Sequence, residues 1–339
     1  MIRALKNTKL LKKKNLWINL LVFVLSYFVL FRFFNNFDYI SCANFFKDTF
    51  YSINSLFFIA LLFAMAFANW FLETIKWKRL ISSIVDVSFV NAFKSILLGL
   101  FFSLFIPNRA GDFIGRVYSV DNAEKGKLSL ATLIGSFAQL LITMLIGTVG
   151  FTYFLFNYST SLPFLKLYGI IAITLLWILV LISFILYFKS SFFCVFFEKG
   201  KNKITIKISY WLEVLKVFSK IDLTIALVLS FLRYLVFSIQ LLLVFRFVGV
   251  DVPSIDLYFF VAVYYFILTF IPTVVYTEIG VRGALSIYLF EILLFITASP
   301  MYDFQLSVSL AAVILWVVNI VIPSIFGSLY TNRYKFFKS

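Results

Sequence analysis

Two short strings in this chain join a proline, a carboxylate and an arginine, and each lies between apolar stretches. The first is Phe105-Ile106-Pro107, followed by Asp112 and Arg116; the second is Phe270-Ile271-Pro272, followed by Glu278 and Arg282. In both, acid and arginine stand four residues apart, the spacing that stacks two side chains on one helix face. A charge at a bilayer centre costs roughly 2.5–3.5 kcal/mol on insertion scales, so such residues mark pathways or sites. The chemistry they offer is anion recognition, since a guanidinium and the free N–H groups of a broken helix both bind phosphate. A matched pair of strings points to a transporter-like protein built from two related halves.

Within the first string, Pro107 ends the incoming helix and Gly111 lets the backbone turn closely. Asn108 or the Gly111–Asp112 step caps the next helix, where a carboxylate suits the positive dipole end. Arg109 has no local partner and offers a phosphate seat. The second string carries Pro272, Thr273, Thr277, Glu278, Gly280, Arg282 and Gly283. Each acid–arginine pair reads either as an internal lock between broken helices or as a ligand contact. The two are compatible, because a lock can release to a ligand. Arg233 and Gln240 share one helix face; Arg233 faces the same cavity or snorkels to the cytoplasmic interface. Trp70, Glu73 and Trp77 are expected at a membrane–water boundary, and Glu291 sits in an apolar run without a visible partner.

The elements that must position these groups follow from composition. The chain of 339 residues is 63% hydrophobic and 13% charged, with a mean hydropathy of +1.01, well outside soluble globular usage. Apolar stretches of about 20 residues recur from Leu16 to Tyr330, which defines a polytopic α-helical membrane protein. The net charge of +15 does not read as nucleic-acid binding, because the basic residues gather in the short segments between spans, as the positive-inside rule requires. There is no histidine, which removes the usual metal ligand and proton shuttle. Cys42 and Cys194 are isolated and support neither a disulfide framework nor a metal site. No metal or cofactor is therefore expected. The lysine-rich start before Leu16–Phe31 reads as a retained signal-anchor helix.

Hydrophobic segments are predicted near 16–34, 54–72, 91–106, 128–156, 167–188, 223–248, 257–276, 284–298 and 304–330. The basic N-terminus, the Lys76-Trp77-Lys78-Arg79 segment, the lysine-rich 189–222 loop and the Arg333–Lys338 tail all belong on the cytoplasmic side. Counting crossings satisfies all four only if 91–106 dips into the membrane and returns with 108–127. That run is also short for a span and ends at Pro107. The same accounting makes 257–298 either two full spans or a second re-entrant hairpin, reached from the opposite face. The predicted fold is an all-α polytopic membrane protein with about six full spans and two re-entrant or broken-helix hairpins. Its single membrane domain, 1–339, divides into inverted halves 1–160 and 161–339. Outside the two strings the halves are not visibly similar.

At Pro107, Arg109, Gly111, Asp112 and Arg116, and again at Pro272, Glu278, Gly280 and Arg282, the chain resembles the lysylphosphatidylglycerol synthase transmembrane region, a flippase-like integral membrane family. Asn69-Trp70-Phe71-Leu72-Glu73 with Lys76-Trp77 resembles a subgroup signature. Gly283 stands where many members have glutamate, and Val274–Val275 occupy a region that is often glycine-rich. The best-known members append a soluble aminoacyl-transferase domain. This chain stops at Ser339, so the resemblance extends to the membrane module and not to the synthase activity. It implies a multi-pass protein of the cell (cytoplasmic) membrane that translocates a phospholipid or lipid-linked anionic substrate. Arg109, Arg116 and Arg282 would bind the phosphate, with Asp112, Glu278, Arg233 and Gln240 around it. Two alternatives remain open: a membrane-embedded lipid-phosphate transferase with Asp112 or Glu278 as base, and a non-transporting envelope-assembly partner. A homo-oligomer or an envelope-biosynthesis partner fits any of the three.

Overall fold

The computed structural model describes residues 53–106, 110–120, 123–158, 163–192, 194, 203–250, 252–272, 275–297 and 305–331. The predicted first segment 16–34, the two basic termini, Cys42, Pro107 and Arg109 lie outside them. Among the described residues every regular element is helical. In chain order they are α1 (Ile53–Ile81), α2 (Phe89–Ser103), α3 (Ala110–Tyr118), α4 (Lys125–Tyr158), α5 (Pro163–Phe188), α6 (Lys203–Leu212), α7 (Val214–Val217), α8 (Lys220–Phe247), α9 (Ser254–Phe270), α10 (Val275–Ile296) and α11 (Gln305–Trp316). A π-helical turn, Val317–Val321, joins α11 to α12 (Ile322–Ser328). Six helical stretches are long and apolar enough to cross a bilayer, whereas α2 and α9 are shorter apolar helices. The protein is an all-α polytopic membrane protein.

Local chemistry sets the ends of the critical helices. Ser88 caps α2 by accepting from the Asn91 N–H. Ser219 and Asp222 form a reciprocal capping box at the start of α8, and Arg79 at the end of α1 donates to Asp222 at 2.9 Å. At the other end of α8, the chain turns through Gly249 with φ +82°, a left-handed conformation that glycine adopts freely. The foot of α4 is tied to α6, where Tyr210 Oη donates to Glu124 at 2.5 Å. That bond holds the Glu124 carboxyl below its ordinary range.

Helices α2 and α3 fold back on each other as a tight antiparallel hairpin. A methyl group on Gly111 would lie 2.0 Å from the Phe102 carbonyl oxygen, and one on Gly115 would lie 2.6 Å from the Gly99 Cα. Small residues let backbones approach in an apolar solvent, where packing rather than hydrophobicity drives association. Gly111 thus serves helix contact inside the first turn of α3, not the turn itself. Gly280 likewise lies buried within α10 and not at a chain reversal.

Down the centre run α1 and α8. Gln240 Nε2 donates to the Leu62 carbonyl, Arg233 reaches Asn69 and Glu73, Lys76 reaches Ser230, and Arg79 reaches Asp222. Residue numbers rise along one helix as they fall along the other, so the pair is antiparallel along its length. Around it the packing is reciprocal: α12 lies along α2, and α4 lies along α9. One apolar core joins Trp77, Leu80, Ile96, Leu128, Leu141 and Tyr234. A second joins Phe245, Val261, Ile287, Phe290 and Val308. Only 6% of the spanning window of α5 is buried, and that helix packs mainly against α4 at the edge of the bundle.

Three expectations need correction. The Lys76–Arg79 segment is not a loop: α1 continues through it to Ile81, and Lys76 is 2% exposed because Glu73 and Ser230 meet its ammonium. The 189–222 segment contains α6 and α7. The stretch between the predicted segments 257–276 and 284–298 is mostly helical, since α10 begins at Val275 and its acid and arginine satisfy each other one turn apart.

Candidate functional site

A cavity of about 580 Å³ lies between α1, α2, α3, α4, α8, α9, α10 and α11. Both proline strings reach it: Asp112 and Arg116 from α3, and Pro272, Glu278 and Arg282 from the α9–α10 junction. Arg233 of α8 lines it too, as do Asn69, Glu73 and Lys76 of α1.

Its hub is Glu73, 4% exposed. One carboxylate oxygen accepts Nη1 of Arg116 at 2.5 Å; the other accepts Nη1 of Arg233 at 2.6 Å and Nζ of Lys76 at 2.7 Å. Each guanidinium is fixed from behind by a different group. Asp112 takes Nε and Nη2 of Arg116 at 2.7 and 2.6 Å in a bidentate fork, and Asn69 takes Nε of Arg233 at 2.7 Å. Charge-assisted bonds this short are the strong class. A neutral layer continues the network. Asn69 Nδ2 donates to Asn319 Oδ1 at 3.4 Å, Asn319 Nδ2 to Gln240 Oε1 at 2.9 Å, and Trp70 Nε1 to the Asn319 carbonyl at 3.3 Å. Asn319 sits in the π-helical turn, an irregularity frequent at functional sites.

The second pair stands across the cavity. Arg282 donates to Glu278 Oε1 through Nη2 at 2.9 Å and through Nε at 3.2 Å. The described lining holds four cationic groups (Lys76, Arg116, Arg233, Arg282) and three carboxylates (Glu73, Asp112, Glu278), an excess of one positive charge. A buried ionic network is seldom a stability device, because well-packed apolar residues do as well or better. Ionisable groups inside a membrane protein characteristically pair with one another in this way.

Of the predicted site residues, Asp112, Arg116, Arg233, Glu278 and Arg282 come together on this one cavity. Gln240 is fully buried behind it as a support for Asn319. Arg109 and Pro107 lie outside the described residues. Glu291 is on the exposed face of α10. Glu73 is 4% exposed and stands at the centre of the ion-pair network, and Trp77 is buried against Thr132. Sequence reasoning missed Glu73, Lys76 and Asn69 as lining groups. Their signal was the spacing 69, 73, 76, which marks one stripe of a helix.

The described residues form a polytopic helical bundle with an ionic cavity on which both proline–acid–arginine strings converge. The family model described as the lysylphosphatidylglycerol synthase TM region matches residues 17–327, and the chain belongs to that family. Comparison with curated proteins and with solved structures gives no match.

Proposed function

We propose that this protein is a translocase for a phospholipid or lipid-linked anionic substrate. The observation that carries this reading is the single cavity on which arginines of both halves converge. The phosphate of a head group would bind Arg116, Arg233 and Arg282, with Asp112 and Glu278 orienting the guanidinium groups. Phe270 lines the cavity and is 56% exposed, an apolar surface beside which acyl chains would stay. The transferase alternative is disfavoured: Asp112 and Glu278 are both engaged by arginines, whereas a general base must reach the proton it takes.

In this reading the halves 1–160 and 161–339 are an inverted repeat, supported by the antiparallel α1–α8 pair and the reciprocal packing around it. Rocking one half against the other would alternate access to the cavity. The α2–α3 hairpin would be re-entrant, with both chain termini in the cytoplasm of a cell whose inner membrane holds the protein. Single cysteines at Asp86 and Glu124, which flank the hairpin, are then expected to react with an impermeant thiol reagent from the same side. Labelling from opposite sides would make α2 a full crossing.

Transport itself is tested in reconstituted vesicles with leaflet-resolved detection of fluorescent phosphatidylglycerol. The expected result is movement of unmodified lipid, reduced at least about tenfold by Arg233→Gln and by Arg282→Ala while both variants still insert. A new lipid species would identify an enzyme. Neither movement nor modification would leave the scaffold reading.

A further inference from the structure

We propose that Glu73 is a resident stand-in for the substrate's anionic group. Its carboxylate occupies the seat formed by Nη1 of Arg116 and Nη1 of Arg233, and yields that seat to a phosphate by retreating onto Lys76. The inference rests on the reading of the cavity as a phosphate-binding site and adds how the site is held in its absence.

Three observations carry it. First, the two arginines belong to different elements, α3 and α8, yet each turns the same atom, Nη1, to one carboxylate, at 2.5 and 2.6 Å. Each guanidinium keeps its other contact when that atom is freed: Arg116 to Asp112 through Nε and Nη2, Arg233 to Asn69 through Nε. The seat is therefore pre-shaped and does not depend on Glu73 for its geometry.

Second, carboxylate and phosphodiester present the same two-oxygen anionic fork to a guanidinium, so one can replace the other without rebuilding the donors. Third, Glu73 has a private counter-ion. Lys76 lies one turn along the same helix, 2.7 Å from Oε2 and 2% exposed, and is itself steadied by Ser230. A carboxylate that released both arginines without such a partner would be a bare buried charge, which costs several kcal/mol. With Lys76 beside it, the exchange leaves every charge paired.

The test measures binding to the full-length protein in detergent by isothermal titration calorimetry. The probes are dihexanoyl phosphatidylglycerol, inorganic phosphate, and uncharged dihexanoyl glycerol as control. Glu73→Gln keeps the shape and removes the competing charge. It is expected to bind the lipid probe at least about tenfold tighter than wild type. Should that variant fail to fold, Glu73→Asp, which withdraws the carboxylate by one methylene, is expected to tighten binding in the same direction. Wild-type binding of the lipid probe with no gain in either folded variant overturns the stand-in while leaving the cavity's phosphate role intact. No binding of either phosphate probe by wild type or variants overturns both. A gain seen for inorganic phosphate as strongly as for the lipid supports the stand-in and assigns the seat to a free anion rather than a head group.

Discussion

Replacing Gly115 with valine is expected to lower stability by at least about 3 kcal/mol and to abolish transport in reconstituted vesicles. The first carbon of any side chain there would fall 2.6 Å from the Gly99 Cα and 2.8 Å from the Leu98 carbonyl oxygen. Those are backbone atoms of α2, so no rotamer change relieves the contact. The only response is to lift α3 off α2, and α3 carries Asp112 and Arg116 directly to the cavity. Thermal unfolding followed by tryptophan fluorescence reads the first effect, and the leaflet assay reads the second. Gly135→Ala is the matched control. Its nearest neighbour would be the flexible tip of Leu80 at 3.0 Å, and its cost is expected to stay below about 1 kcal/mol. Equal tolerance at the two positions would mean that the hairpin is not the rigid carrier of the site.

Removing the hub outright has the next largest effect. Glu73→Ala leaves Lys76 and Arg116, 2% and 4% exposed, without the carboxylate they share, and deleting one partner of a buried ionic group typically costs about 3–5 kcal/mol. Arg116 retains Asp112, and Arg233 retains Asn69, so most of the loss falls on Lys76. Lys76→Met in the same background is therefore expected to restore much of the stability, since it removes the stranded ammonium while keeping the side-chain bulk. The double mutant and both single mutants, melted side by side, give the coupling energy. Strict additivity would show that Glu73 and Lys76 do not act as a pair.

How much of this was legible from residues alone depends on contrast. Asp112, Arg116, Glu278 and Arg282 stand out because a charge between apolar stretches has few explanations, and they do meet on one cavity. The short α2 was legible from its length and Pro107. Glu73 and Lys76 were not. They sit in a charge-dense string that ends an apolar run, and such a string reads as a helix leaving the membrane. What distinguishes them is the face: residues 69, 73 and 76 point inward, while Arg79 is half exposed toward Asp222. Their partners Arg116 and Arg233 come from distant elements, and no local pattern announces that. The start of α10 was placed too late for a related reason. The apolar run alone put its start near 284, although the four-residue spacing of Glu278 and Arg282 already suits a helix, which begins at Val275. Asn319 hid in the same way, as one amide in an apolar run.

The antiparallel central pair has an electrical consequence. Two helices of nearly equal length laid head to tail carry opposed macrodipoles, and the field each creates at its ends cancels against the other. Glu73 and Arg233 lie well inside both helices, beyond the single turn over which a terminus exerts its pull. The backbone of α1 and α8 thus contributes almost nothing to the local potential. Charge balance in the hollow is left to the side chains that line it.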